Sequence, residues 1–124
     1  MPDKVIDASA MAALAFAEPG ADLVIDAIEG YRLHAPTLLG FELMNVAWKR
    51  LKKSPSVASV FFEALEDAQN FGIQLRVVDH RAVVELAVET GLTAYDASYL
   101  WLSRYLSAPL VTLDRKLAAH AKNV

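Results

Sequence analysis

Four short apolar runs, each followed by one or two longer helical patterns, constrain this chain more than any other feature. "KVI" at 4–6, "RLHA" at 32–35, "QLRVV" at 74–78 and "PLVTL" at 109–113 read as strands. They are near-continuously apolar, as expected of strands covered on both faces. Between them, apolar residues recur at helical spacing over 9–16, which stops near Glu18-Pro19-Gly20, and over 21–28, which stops at Gly30. Pro36 is expected at the first position of a long helix running to about Lys53. Ser54-Pro55 breaks that helix and starts the next, about 56–71, ended by Gly72. Asp79 caps a helix over 80–90, Thr93 caps one over 94–106, and a short helix over 115–121 follows the last strand. Strands alternating with helices predict an α/β layered fold around a parallel sheet. With no repeat or linker in 124 residues, the expectation is a single domain, 1–124.

In such folds ligands bind outside the carboxyl ends of the strands. Asp7 leaves the first strand there and Asp114 leaves the fourth. Two more acids keep unusual company. Glu42 has Leu38, Leu39, Asn45 and Val46 as its helical neighbours, and charge is rare among core residues. It therefore needs a cation or a buried basic partner. Asp96 is ringed by Leu92, Thr93, Tyr99 and Leu100. Capping competes with chemistry at three of these positions. Thr93-x-x-Asp96 has capping-box spacing, and Asp7 and Asp114 each precede a helix. The roles can coexist, because a helix N-terminus can face a strand-end crevice. Glu63, Glu66 and Asp67, by contrast, read as a solvated face.

Four carboxylates in one crevice would repel one another, and one of them could hold a proton. A hard divalent cation is the better solution. Mg²⁺ takes oxygen ligands, keeps several waters and works beside substrate phosphates. The chemistry implied is in-line hydrolysis of a phosphodiester.

At these residues the chain resembles the PIN-domain ribonucleases. "VIDAS" near the N-terminus, "FELMN" further on, "TAYDASYL" in the last third and "LVTLD" near the end follow that family's order. The similarity covers essentially the whole chain, and its length and composition look like the stand-alone VapC-type toxins of prokaryotic toxin–antitoxin pairs. The resemblance implies a three-layer α/β/α fold with a central, mostly parallel sheet of four to five short strands. It implies an endoribonuclease dependent on Mg²⁺ or Mn²⁺, with Asp7, Glu42, Asp96 and Asp114 as the metal-site acids. Ser9, Asn45 and Thr112 match the family's supporting polar positions. It further implies a homodimer inhibited by a cognate antitoxin protein that fills or blocks the acidic groove. Relatives commonly add a fifth strand after the last helix; here only Asn123-Val124 follow "LAAHAK".

The remaining polar and aromatic residues have two readings each. Arg115 and Lys116 follow Asp114 and can contact RNA phosphates. Tyr95, beside Asp96, can face a base. The cluster Lys49, Arg50, Lys52 and Lys53 suits a helix C-terminus but can also meet phosphates at a groove edge. His34 ends a strand and either approaches the crevice or packs. Trp101 and Tyr105 fit a core or a dimer seam. Ser98 points away from Asp96 and packs between helices. No G-x-S-x-G elbow accompanies the serines, which argues against a serine nucleophile.

A net charge of −3 does not advertise a nucleic-acid binder through bulk charge. Without cysteine there is neither a disulfide nor a thiolate zinc site. "MPDKVID" lacks the regions of a signal peptide, and no apolar run suffices for a membrane span, so a cytoplasmic location is expected. A hydrophobic share of 55% leaves apolar surface for a partner or a second copy. A phosphoacceptor signalling domain would want paired acids after the first strand and a Lys ending a fifth. This chain has neither. A PIN-like binding protein without catalysis is the other alternative.

Overall fold

The computed structural model describes residues 1–121. Four strands, β1 (Asp3–Ile6), β2 (Arg32–Pro36), β3 (Gln74–Arg76) and β4 (Leu110–Val111), form one parallel sheet in the order β3-β2-β1-β4. Helices α1 (Ala8–Ala15) and α2 (Ala21–Ile28) connect β1 to β2. Helices α3 (Leu38–Lys53) and α4 (Ala58–Gln69), joined by a 3₁₀ turn at Pro55–Val57, connect β2 to β3. Helices α5 (His80–Thr90) and α6 (Ala94–Leu106) lead to β4, and α7 (Arg115–Ala121) follows it.

The sheet grows outward from β1 through β2 to β3, then returns past β1 to place β4 on its other side. Right-handed crossovers therefore put α1–α4 on one face and α5–α6 on the other. This is the three-layer α/β/α arrangement that the strand–helix alternation and the motif order led us to expect. The chain direction switches between β1 and β4, and open α/β sheets bind ligands at such a switch point. Asp7 and Asp114 follow those two strands.

The core is built from Val5 and Ile6 of β1, Leu33 and Ala35 of β2, Met11 of α1, Leu39 and Leu43 of α3, and Tyr99, Leu100 and Leu102 of α6. Each is at most 7% exposed.

Two expectations change. First, Pro36 ends β2 instead of opening α3. The Thr37 amide donates to the Arg76 carbonyl, so alternate amides, including position 36, face β1. The register places Asp7, the first residue past β1, opposite Pro36, so the amide hydrogen that proline lacks forgoes only the last bond of the ladder. Second, β3 is not covered on both faces: all three of its residues are exposed, as suits an edge strand. Of the two readings of His34, the packed one holds, and the ring does not approach the strand-end crevice. Its Nε2 lies 2.8 Å from Asp3 Oδ1 at the start of β1, while Arg76 Nε donates to its Nδ1 at 3.2 Å. The Arg76 bond requires Nδ1 to accept, so Nε2 carries the hydrogen given to Asp3. The buried ring thus ties β1, β2 and β3 together, its Nε2 turned back to the start of β1. Asn123-Val124, the only place left for a fifth strand, lie outside the described residues.

Candidate active site

Asp7 is 4% exposed and serves as the N-cap of α1. Its Oδ1 accepts from the Ala10 amide at 2.9 Å and from Ser9 Oγ at 2.7 Å. Its Oδ2 accepts from Thr112 Oγ1. These donors leave Oδ2 a free lone pair. Burial pushes the Asp7 carboxyl above its ordinary range; the hydrogen bonds oppose that rise and the charge of Asp114 adds to it.

Ser9 and Thr112 do more than touch Asp7. Ser9 Oγ accepts from the Leu113 amide at 3.0 Å, and Thr112 Oγ1 accepts from the Asp114 amide at 3.0 Å. The hydroxyls thereby fasten the end of β4 to the start of α1 and aim both strand-end acids. Asp114 caps α7, its Oδ1 accepting from the Leu117 amide at 3.0 Å.

Glu42 is half-buried on α3. It finds no basic partner among the described residues; instead Tyr99 Oη donates to its Oε1 at 2.7 Å. Burial raises the Glu42 carboxyl, the Tyr99 bond opposes the rise, and the charges of Asp96 and Asp7 add to it. Asp96 stands in the first turn of α6, its amide donating to Thr93 Oγ1 at 3.1 Å. Its carboxyl is raised by burial and then by Asp114, while Lys116 acts the other way.

The four acids predicted from sequence therefore come from four elements and act on one another's charge at one end of the sheet. Among the described residues, no three His, Asp or Glu side chains stand close enough to clasp an ion directly. The set consists of oxygen donors alone, partly desolvated and with net negative charge. It suits a hard cation that keeps several of its own waters between itself and the protein.

Beside the acids opens a groove of about 870 Å³, whose walls include Ser9, Glu42, Asn45 and Tyr95. Asn45 stands one helical turn beyond Glu42, and Tyr95 is 64% exposed. Lys116 sits near Asp96 and reaches the Gly91 carbonyl at 3.4 Å; Arg115 is exposed at the start of α7. Ser98 Oγ is turned to the Ala94 carbonyl, away from the acids. Trp101 and Tyr105 stack with ring centroids 4.8 Å apart.

Sequence reasoning missed the part played by Tyr99. In the sequence it stands only as a neighbour of Asp96. Two signals were present. Position 99 shares a helical face with position 96, and a buried tyrosine needs a partner for its hydroxyl. The identity of that partner, 57 residues away, had no local trace.

A sequence profile of the PIN domain matches residues 4–123. The chain is 33% identical over 119 residues to Ribonuclease VapC3 of Pyrobaculum aerophilum, an alignment covering 92% of this chain and 91% of that one. It also superposes on the crystal structure of PAE2754 from Pyrobaculum aerophilum with a TM-score of 0.79 and 29% identity, covering 99% of this chain and 82% of the other.

Proposed function

Given that the chain belongs to the PIN-domain family, among its VapC-type members, we propose that it is a metal-dependent endoribonuclease, the toxin of a toxin–antitoxin pair. The observation that carries this reading is the meeting of Asp7 and Asp114 at the topological switch point between β1 and β4, bound together through Ser9 and Thr112, with Glu42 in the wall of the open groove beside them. The VapC3 relative, a ribonuclease by name, supports RNA as the substrate.

Mg²⁺ is the proposed ion, with Mn²⁺ able to substitute. Asp7, whose Oδ2 keeps a free lone pair, and the carboxylates of Glu42, Asp96 and Asp114 would hold it largely through the ion's own waters. When bound, such an ion polarises a phosphoryl oxygen and lowers the pKa of a water for in-line attack on phosphorus. The chain's own groups do the positioning. Ser9 and Thr112 fix both oxygens of Asp7, and Tyr99 fixes Glu42. Asn45 and Tyr95 border the space where substrate enters, and Arg115 and Lys116 offer positive charge to its phosphates.

The same reading includes a cognate antitoxin protein that blocks the groove, a cytoplasmic setting and a homodimer. No helix among the described residues is long and apolar enough to cross a membrane. Exposed Met44 and Trp48 on α3, with Leu75 on neighbouring β3, supply an apolar strip suited to pairing; a sedimentation mass of one chain would remove the dimer.

The test is incubation of a mixed RNA pool with the protein and Mg²⁺ or Mn²⁺, against EDTA and against Asp7→Ala. Cuts that vanish in both controls are expected. No cuts from folded protein on any RNA of the pool would leave a PIN-fold binding protein without catalysis.

A further inference from the structure

The groove that begins at Glu42 does not end in acid. Positions 42, 45, 46, 49 and 53 fall on one side of α3, and Glu42, Asn45, Val46, Lys49 and Lys53 all line its wall. At the helical rise, Lys49 stands roughly 10 Å and Lys53 roughly 16 Å along the axis from Glu42. One face of one helix thus runs from the proposed reaction centre to a pair of cations.

The structure sorts the four basic residues at the end of α3. Arg50 is neutralised by an ion pair with Glu18. Lys52 lies over the Trp48 ring, 4.4 Å from its centroid, and is absent from the groove wall. Lys49 and Lys53 are exposed and have no carboxylate partner among the described residues. A helix C-terminus favours cations on any of its faces, so the dipole does not explain why the two unpaired ones share the face of Glu42. Exposed rings, Phe41 at 67% and Tyr95 at 64%, stand at the acidic end of the same groove.

From this juxtaposition we infer that the α3 face is the track for single-stranded RNA flanking the scissile bond, with Lys49 and Lys53 neutralising backbone phosphates. Unpaired cations following a groove, with aromatic faces open to bases, are how single strands are held without sequence readout. The inference rests on the ribonuclease reading and deepens it. It gives a chain of net charge −3 a local means of attracting a polyanion toward a cluster of acids.

The test has two arms. In an Asp7→Asn background with EDTA, binding of a fluorescein-labelled single-stranded RNA is followed by anisotropy through a salt series. Each lost phosphate contact lowers the slope of log K against log salt by about 0.7 for a single strand, so Lys49→Ala with Lys53→Ala lowers it by about 1.4. Lys52→Ala leaves the slope unchanged, and the double Lys→Arg variant restores it. In the chain with its acids intact, the double alanine variant raises KM for RNA cleavage and keeps kcat, the signature of lost uniform binding. Circular dichroism confirms that the variants fold, and the Lys→Gln pair repeats both arms with longer side chains. An unmoved slope and KM in a chain that still cleaves RNA would overturn the track alone. If the same variants instead lose binding of a polyglutamate peptide while the RNA slope stays put, the groove belongs to an acidic protein segment, and the RNA track is again overturned. An intact chain that neither binds nor cleaves RNA would sink the ribonuclease reading together with this one.

Discussion

Glu42 shows how a half-buried acid can be held without a cation of its own chain. Its partner is a tyrosine hydroxyl, which satisfies one lone pair and leaves the charge uncompensated. Tyr99→Phe removes that donor while keeping the ring. It is expected to cost about 1–3 kcal/mol, read by denaturant unfolding. Losing the group that orients a proposed ligand should also weaken metal affinity about 10–100-fold, read by titration calorimetry. Unchanged affinity would mean that Tyr99 does not position Glu42.

Burial raises the folded-state pKa of Glu42, so in metal-free protein the folded state binds more protons than the unfolded chain. Stability from this source is full below the ordinary glutamate value of 4.5 and drains as pH rises through the raised folded value. Glu42→Gln removes the effect. Relative to that variant, metal-free wild type should lose melting temperature from pH 4.5 upward, and the variant should not cleave RNA. A flat difference across that range, or retained cleavage, would contradict the assignment. The need of Glu42 for help was legible in its helical neighbours. The form of that help was not, because it depends on two helices from opposite layers meeting over the strand ends.

At the scale of elements, the caps explain why the acids were ambiguous in sequence. Asp7 and Asp114 each cap the helix they precede, and the caps hold both carboxyls at the strand ends, so capping does not displace the proposed role in the crevice. Variants can separate the two roles at Asp7. Asparagine caps a helix as well as aspartate, whereas alanine forfeits about 1 kcal/mol. Both Asp7→Asn and Asp7→Ala should abolish cleavage, and only Asp7→Ala should fall below Asp7→Asn in unfolding free energy. Equal stability would show that the cap is idle. Strand and helix order was readable from alternation, capping residues and glycine stops. The misplaced elements share a cause. Pro36 sits in the sheet because it closes β2 where β1 ends, and β3 is exposed because it lies at the edge. Both are facts of neighbourhood that a local pattern does not carry. The tie from His34 to Asp3 and Arg76 is of the same kind.

Across the whole molecule, one end of the sheet concentrates negative charge and the adjoining helix face leads away to unpaired cations. The strand order makes this possible. Because β4 returns to the far side of β1, the acids after β1 and β4 become neighbours, and α3 and α6 close over them from opposite layers. The four acids could be picked out of the sequence by their position after strands or among apolar residues. The groove could not, since it exists only once α1 and α3 are packed with the strand-end loops.

The central claim is that these acids form a single charged crevice relieved by a divalent cation, and melting with and without Mg²⁺ or Mn²⁺ tests it without assuming any RNA. A ligand bound only by the folded state stabilises by about 2.7 kcal/mol at a hundred times its Kd. Wild type should therefore melt higher with metal, by an amount that grows with pH as the carboxyls ionise. Glu42→Gln and Asp96→Asn should match or exceed wild type without metal and respond weakly to it. A wild type indifferent to metal, or variants that respond as strongly as wild type, would contradict the account.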